Sequence, residues 1–152
     1  MFYGTVWDPR LIVSQILTMQ CLYYLLLGFL LWIFDALSSN LMSIGRSIIV
    51  PSNRFKAQIF SYEFVTFSTF LGRVTILAFV INAFASAFFL LYVVERAKRC
   101  LDFTITIHFF HFLGCLVYAG FPKAWTWWII NIICVIITSV FGTTCIFYKF
   151  NY

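Results

Sequence analysis

Charged residues are scarce in this chain of 152 residues. Asp, Glu, Lys and Arg together make up 10% of it, whereas hydrophobic residues make up 63%. Ordinary soluble domains contain about 25% charged and about 45–50% apolar residues, so the composition excludes a soluble globular protein. The length allows one domain, and we expect residues 1–152 to form a single membrane domain. The ten basic residues are scattered along the sequence, which favours membrane lipids over nucleic acid as a charged partner.

The sequence also lacks the short motifs that carry common enzyme chemistry. It has no G-x-S-x-G, no H-E-x-x-H, no Walker loop and no G-x-G-x-x-G, so we predict neither catalysis nor a bound cofactor. Its five cysteines are odd in number and include no C-x-x-C pair, so they indicate no disulfide framework and no thiol-redox motif. Cys100 follows Arg96, Lys98 and Arg99 near a predicted membrane surface, and it is therefore a candidate for S-palmitoylation.

Charged residues divide the chain into four stretches that contain no Lys, Arg, Asp or Glu. At a rise of about 1.5 Å per residue, about 20 helical residues cross the hydrocarbon layer of ~30 Å, and each stretch is long enough. A helix pairs its own backbone polar groups, as a lipid environment demands. We therefore predict an all-α membrane protein, built as a four-transmembrane-helix antiparallel bundle. The predicted spans are residues 11–34, 74–94, 103–121 and 124–148.

One long connection, residues 35–72, joins the first two predicted spans. Its second half is rich in aromatic residues, namely Phe60, Tyr62, Phe64, Phe67 and Phe70. Aromatic side chains concentrate at membrane interfaces, so one interpretation is a segment that lies at headgroup depth. A disordered loop is the other interpretation. We predict a long, partly interfacial first loop.

The basic residues divide equally between the two sides of the predicted bundle, so their density must decide the orientation. The connection between the second and third spans is short and basic, and the positive-inside bias acts most strongly on such loops. We therefore predict that this loop and both termini face the cytosol. An aromatic residue at the membrane interface is usually an anchor, and a short basic loop is usually a topology signal. Both features lie on the predicted cytosolic face, and their coincidence favours a partner-binding surface. Its candidate residues are Trp7, Asp8, Arg96, Lys98, Arg99 and Asp102.

The third predicted span contains a polar cluster of Thr104, His108, His111 and Cys115. At about 100° per residue, these positions fall within about 60° of arc, so they face the same neighbour. Two histidines at this spacing could relay a proton or ligate a metal. A small proton- or metal-linked carrier that uses His108 and His111 is therefore the alternative function. No Asp or Glu lies inside a predicted span, so we predict no complete metal site, and a hydrogen-bond cluster between helices is the simpler interpretation.

Several local strings resemble a known family. They are Trp-Asp-Pro at 7–9, Ser-Gln-Ile at 14–16, Met-Gln at 19–20, Tyr-Tyr at 23–24, Gly-Arg at 72–73, Cys-Leu-Asp-Phe-Thr at 100–104, His-Phe-Phe-His at 108–111, Leu-Gly-Cys at 113–115 and Thr-Trp-Trp at 126–128. In content and order these strings are similar to those of the Sys family of four-span Golgi integral membrane trafficking proteins. The match runs from near the start of the chain into the fourth predicted span.

The resemblance implies a multi-pass receptor of the Golgi membrane, at the trans-Golgi network, with no enzyme activity. In this role the protein recruits an ARF-related small GTPase through the acetylated N-terminal segment of that GTPase, and it supports vesicle trafficking and golgin recruitment. An acetylated amphipathic helix could dock its apolar face at the membrane edge. The matched strings place candidate partner-binding residues at Trp7, Asp8, Asp102, His108 and His111.

Overall fold

The computed structural model describes residues 9–42, 52–94 and 97–151, with the backbone alone at 38–42, 52–55, 97–98 and 150–151. Within these ranges the chain forms five α-helices, a short 3-10 turn at Tyr62–Phe64 and no strand. Four of the helices are long and apolar enough to span a membrane. The prediction of an all-α, four-span membrane protein is thus confirmed. The helices are α1 (Pro9–Met42), α2 (Ser52–Phe60), α3 (Phe70–Val93), α4 (Ala97–Ala119) and α5 (Trp125–Asn151).

The long helices extend beyond the charge-free stretches that predicted them. α3 begins at Phe70 and not at residue 74, and α4 begins at Ala97 and not at residue 103. Charged side chains near a helix end can reach water while the backbone stays helical. Arg73, Arg99 and Asp102 therefore lie inside helices that are longer than the predicted spans at these ends. The boundaries of the spans in the membrane stay a prediction.

Local sequence sets where α3 begins and where α4 ends. The Thr69 hydroxyl accepts the backbone N–H of Gly72 at 3.1 Å and so caps the start of α3. Gly72 is needed at this turn, because a β-carbon there would clash with the backbone oxygen of Thr66. Gly120, directly after α4, has a φ of +77°, a left-handed conformation that glycine tolerates best.

The four long helices pack in the cyclic order α1, α3, α5, α4. α3 contacts both α1 and α5 extensively, and it is the most buried of the four spans. Its buried face includes Ala83 and Ala87, and small residues let neighbouring helices approach closely. Of the four neighbouring pairs, α1 and α4 contact each other least. The bundle is therefore tight around α3 and looser between α1 and α4.

Side-chain contacts bring particular helix ends together. The Gln15 amide of α1 donates to the backbone carbonyl of Val93 in α3 at 2.7 Å, and the Lys149 ammonium of α5 lies 5.8 Å from the ring centroid of Tyr92 in α3. We call this end of the bundle, which also carries Arg99 of α4, the basic end. The opposite end carries the connection between α1 and α3, and we call it the loop end.

The connection predicted as loop 35–72 is largely helical where the structure describes it. α1 continues into it, and α2 packs against both α1 and α4. Gln58 of α2 is fully buried, and its amide donates to the Asp35 carboxylate of α1 at 3.3 Å. The aromatic residues of this segment do not behave alike, because Phe60 packs against the core whereas Phe67 is 60% exposed. The depth of the segment in the membrane stays a prediction.

Candidate partner-binding site

A cavity of about 300 Å³ lies between α1 and α4 at the basic end of the bundle. One wall belongs to α1 and consists of Ile12 and Ile16. The other wall belongs to α4 and consists of Arg99, Asp102, Phe103 and Thr106. Spacings of three and four residues place side chains on one face of a helix, so each wall is a single helix face. We call the space between these two helices the α1–α4 seam; it runs from this cavity to Tyr24 and Gly114 towards the loop end.

Apolar side chains form the α1 wall of the cavity, whereas the α4 wall also carries a charged edge formed by Arg99 and Asp102. Phe103 is buried, Arg99 is half-buried and Asp102 is exposed. The Thr106 hydroxyl donates to the backbone carbonyl of Asp102 at 2.7 Å, so its hydrogen-bonding need is met within α4. The guanidinium can donate hydrogen bonds and the carboxylate can accept them. The site can therefore bury a small apolar group and pair with a polar group attached to it.

The structure places two of the six predicted partner-binding residues, Arg99 and Asp102, at this cavity. For the other four, either the whole residue or its side chain lies outside the described residues. These four are Trp7, Asp8, Arg96 and Lys98.

Sequence reasoning missed the apolar wall residues of the site. On α4 the missed signal was periodicity, because Phe103 follows Arg99 by four positions and Thr106 follows Asp102 by four. On α1 no comparable signal exists, because Ile12 and Ile16 are two of many apolar residues in a span whose neighbours the sequence does not specify.

The predicted polar cluster of α4 lies inside the bundle and not at the cavity. Thr104, His108, His111 and Cys115 are all buried. The Thr104 hydroxyl donates to the Cys100 carbonyl at 2.9 Å, and His108 Nδ1 lies 3.0 Å from the Thr104 carbonyl oxygen. His111 Nε2 lies 3.6 Å from Cys115 Sγ. Most of these polar groups therefore find partners within α4 itself.

Aromatic rings surround His111. Four ring centroids lie 5.5 to 6.1 Å from that of its imidazole, those of Tyr23, Tyr24, Phe60 and Phe79. In the part of the chain that the structure describes, no three His, Cys, Asp or Glu side chains converge as a metal site requires. This surrounding favours the packing interpretation of the cluster, and the carrier function of His108 and His111 stays a prediction.

Cys100 is fully buried between α4 and α5. Its sulfur lies 3.9 Å from the Ser139 carbonyl oxygen, and a β-carbon on Gly142 would lie only 2.7 Å from it. An acyl chain attached to this sulfur would have to displace α5. The burial therefore counts against Cys100 as a candidate for S-palmitoylation.

Comparison with known proteins identifies the family. Residues 2–149 match the family model SYS1, described as an integral membrane protein linking to the trans Golgi network. The chain belongs to the SYS1 family. It is 40% identical over 141 residues to a protein named Protein SYS1 homolog from Nematostella vectensis, across 93% of this chain and 82% of that relative. It is 39% identical over 143 residues to a protein of the same name from Dictyostelium discoideum, across 93% of this chain and 56% of that relative. No solved structure matches.

SYS1 membership confirms the resemblance drawn from the local strings and fixes the general setting of the protein. It is an integral membrane protein of the Golgi network, and its four candidate spans fit that description. The SYS1 family is a membrane trafficking family and not a known enzyme family. Its candidate membrane-spanning helices also imply a lipid environment.

Proposed function

We propose that this protein is a trans-Golgi membrane receptor that recruits an ARF-related small GTPase by binding its acetylated N-terminal segment. In this role it supports vesicle trafficking and golgin recruitment. The observation that carries the proposal is the cavity at the basic end of the α1–α4 seam, with its apolar α1 wall and the charged edge on α4. SYS1 membership supplies the Golgi setting. The role requires no enzymatic step.

The size and lining of the cavity suit one end of an amphipathic segment. Such segments bind by placing apolar side chains into a hydrophobic groove, and Ile12, Ile16 and Phe103 provide that surface. A volume of about 300 Å³ is at the small end of ligand pockets, so it fits an acetylated terminal residue and not a whole helix. The rest of the segment would then lie along the membrane surface.

The charged edge can recognise the polar atoms of an acetylated terminus. The Arg99 guanidinium can donate to the acetyl carbonyl oxygen, and the Asp102 carboxylate can accept an amide N–H from the segment. Both side chains line the cavity, one turn apart on α4. The proposal requires the basic end to face the cytosol, in agreement with the orientation predicted from the short basic connection.

A cavity-filling substitution tests the proposal. Ile16→Trp should fill the cavity, whereas Leu17→Trp places the same bulk on the next residue, which is 61% exposed on the outer surface of α1. Each variant, purified in mild detergent, is tested against synthetic N-terminal peptides of an ARF-related GTPase, acetylated and unmodified. We expect wild type and Leu17→Trp to retain the acetylated peptide selectively, and Ile16→Trp to bind it at least about tenfold more weakly.

Two results would contradict the proposal. If wild-type protein retains neither peptide, the receptor function fails. If Ile16→Trp retains the acetylated peptide as well as Leu17→Trp does, the partner binds elsewhere on the protein.

A further inference from the structure

At the loop end, the α1–α4 seam is filled by α2. Phe60, the last residue of α2, packs between the two long helices. Its ring centroid lies 5.7 Å from that of Tyr24 on α1, 6.1 Å from that of His111 on α4 and 6.0 Å from that of Tyr118 on α4. The same seam is thus occupied by a side chain of the protein itself at one end and holds a cavity at the other.

Gly114 provides the space for Phe60. A β-carbon at position 114 would lie 2.8 Å from Cε1 of Phe60 and 3.7 Å from the Tyr24 hydroxyl. The first distance is well inside the normal separation of about 3.5–4.0 Å between carbon atoms. The ring can therefore approach the α4 backbone only because residue 114 is a glycine, and it lies between the helices and not over them.

A second contact fixes α2 in the seam. Gln58 is fully buried, and it donates to the Asp35 carboxylate of α1 at 3.3 Å. A buried polar group that loses its partner carries a desolvation cost, so this pair resists withdrawal of α2 from the seam. The polar contact at Gln58 and the aromatic contact at Phe60 lie two residues apart. Together they fix the position of α2 in the α1–α4 seam.

We infer that α2 is a spacer between α1 and α4, and that Phe60 is the positioning residue that sets the width of the cavity at the basic end. Gly114 and Phe103 are eleven residues apart on α4, a rise of about 16.5 Å along a single helix. Because packed protein interiors have low compressibility and transmit strain, the separation of α1 and α4 at the loop end influences their separation at the cavity. The consequence for partner capture rests on the proposed function, but the spacing is a property of the protein alone.

A distance measurement at the basic end tests the spacing without any partner. Spin labels are placed at Val13→Cys on α1 and Leu101→Cys on α4, two exposed positions, in a background that carries Cys21→Ser and Cys145→Ser. With Phe60→Ala the spacer loses its ring, and we expect the distance to shorten by at least about 2 Å as α1 approaches direct helix packing. The matched control is Phe67→Ala, in the same connection but 60% exposed, and it should leave the distance unchanged.

Two further variants test the geometry of the contact from the opposite side. Gly114→Ala adds a methyl group against the Phe60 ring, so it should lengthen the distance between the labels. Combining it with Phe60→Leu removes the opposing ring atoms and should return the distance to that of wild type. If Phe60→Ala does not fold, the lengthening by Gly114→Ala and its reversal in the double variant carry the test.

The peptide assay then separates this inference from the proposed function. Phe60→Ala should retain the acetylated peptide at least about tenfold more weakly than Phe67→Ala does. A shortened distance in Phe60→Ala supports the spacer even if wild-type protein binds no peptide, a result that would remove only the proposed function. A folded Phe60→Ala protein with an unchanged distance, or a Gly114→Ala protein with an unchanged distance, would overturn the inference.

Discussion

α3 and α1 are both long apolar helices, but they are buried to very different degrees. In the most apolar part of α3, 50% of the residues are buried inside the protein, against 22% in α1. Lipid is as apolar as a protein core, so hydrophobicity alone does not decide which span is buried. The buried face of α3 contains small and polar residues such as Asn82, Ala83 and Ser86, and small residues let neighbouring helices approach closely.

The α3–α5 interface and the α1–α4 seam also differ in their hydrogen bonds. On α3, the Ala83 carbonyl accepts a hydrogen bond from the Thr138 hydroxyl of α5 at 3.0 Å, and the Phe79 carbonyl lies 3.7 Å from Cys134 Sγ of α5. Across the α1–α4 seam, the Tyr24 hydroxyl lies 3.5 Å from His111 Nδ1, at the limit of a hydrogen bond. The α3–α5 interface is therefore closely packed and joined by a hydrogen bond between helices, whereas the α1–α4 seam is looser and contains the cavity.

The largest effect should come from enlarging a small residue at the α3–α5 interface. Ala83→Leu inserts bulk at a position that is 1% exposed, and overpacking of this kind costs about 1–3 kcal/mol of the free energy of unfolding. Ala85→Leu, at a half-buried position on the same helix, should cost clearly less. Denaturant titration in mild detergent measures both changes. Equal losses in the two variants would show that α3 is not packed as tightly as described.

A smaller effect should follow from removing one hydrogen bond between helices. Thr138→Val loses the donor to the Ala83 carbonyl, and such bonds between membrane helices average about 0.6 kcal/mol. Thr144→Val removes a hydroxyl that is exposed and bonds only within α5, at 2.7 Å to the Val140 carbonyl, so its cost should be near zero. The same titration compares them. If Thr144→Val is as destabilising as Thr138→Val, the bond across the helices is not what stabilises this interface.

The smallest effect on stability should come from the edge of the cavity. Arg99→Gln and Asp102→Asn change partly or fully exposed side chains, so the free energy of unfolding should move by less than about 0.5 kcal/mol. Binding of the acetylated peptide should nevertheless weaken in both variants, and in wild type it should weaken as salt screens exposed charges. Thermal unfolding and peptide retention are measured on the same samples. Loss of stability without loss of binding would place these residues in the fold and not in the site.

The number of spans could be predicted from the sequence, because charged residues are expensive in hydrocarbon and their absence marks the membrane. Ala83 and Ala87 lie on the buried face of α3, as small residues at helix contacts in membranes commonly do. Gly114 on α4 accommodates the Phe60 ring of α2. Nothing in the sequence separates Phe60 from Phe67, since both stand in one aromatic segment and only the fold decides which of them is enclosed.

The candidate site could be predicted in part for a related reason. Charged residues beside a membrane are rare, so Arg99 and Asp102 stand out in the sequence. Apolar residues within a span are common, and the period of a helix does not tell which apolar face meets protein and which meets lipid. Ile12 and Ile16 therefore became recognisable only when α4 was seen opposite them.

The length of α1 relates the protein to the thickness of its membrane. Its 34 residues measure about 51 Å, and its charge-free stretch, residues 11–34, measures about 36 Å. The hydrocarbon layer is about 27 Å thick in the endoplasmic reticulum and about 32–33 Å in the plasma membrane. A helix of this length must tilt, or thicken the lipid around it, more in the thinner bilayer than in the thicker one. The tilt of α1 should therefore depend on the thickness of the bilayer that surrounds it.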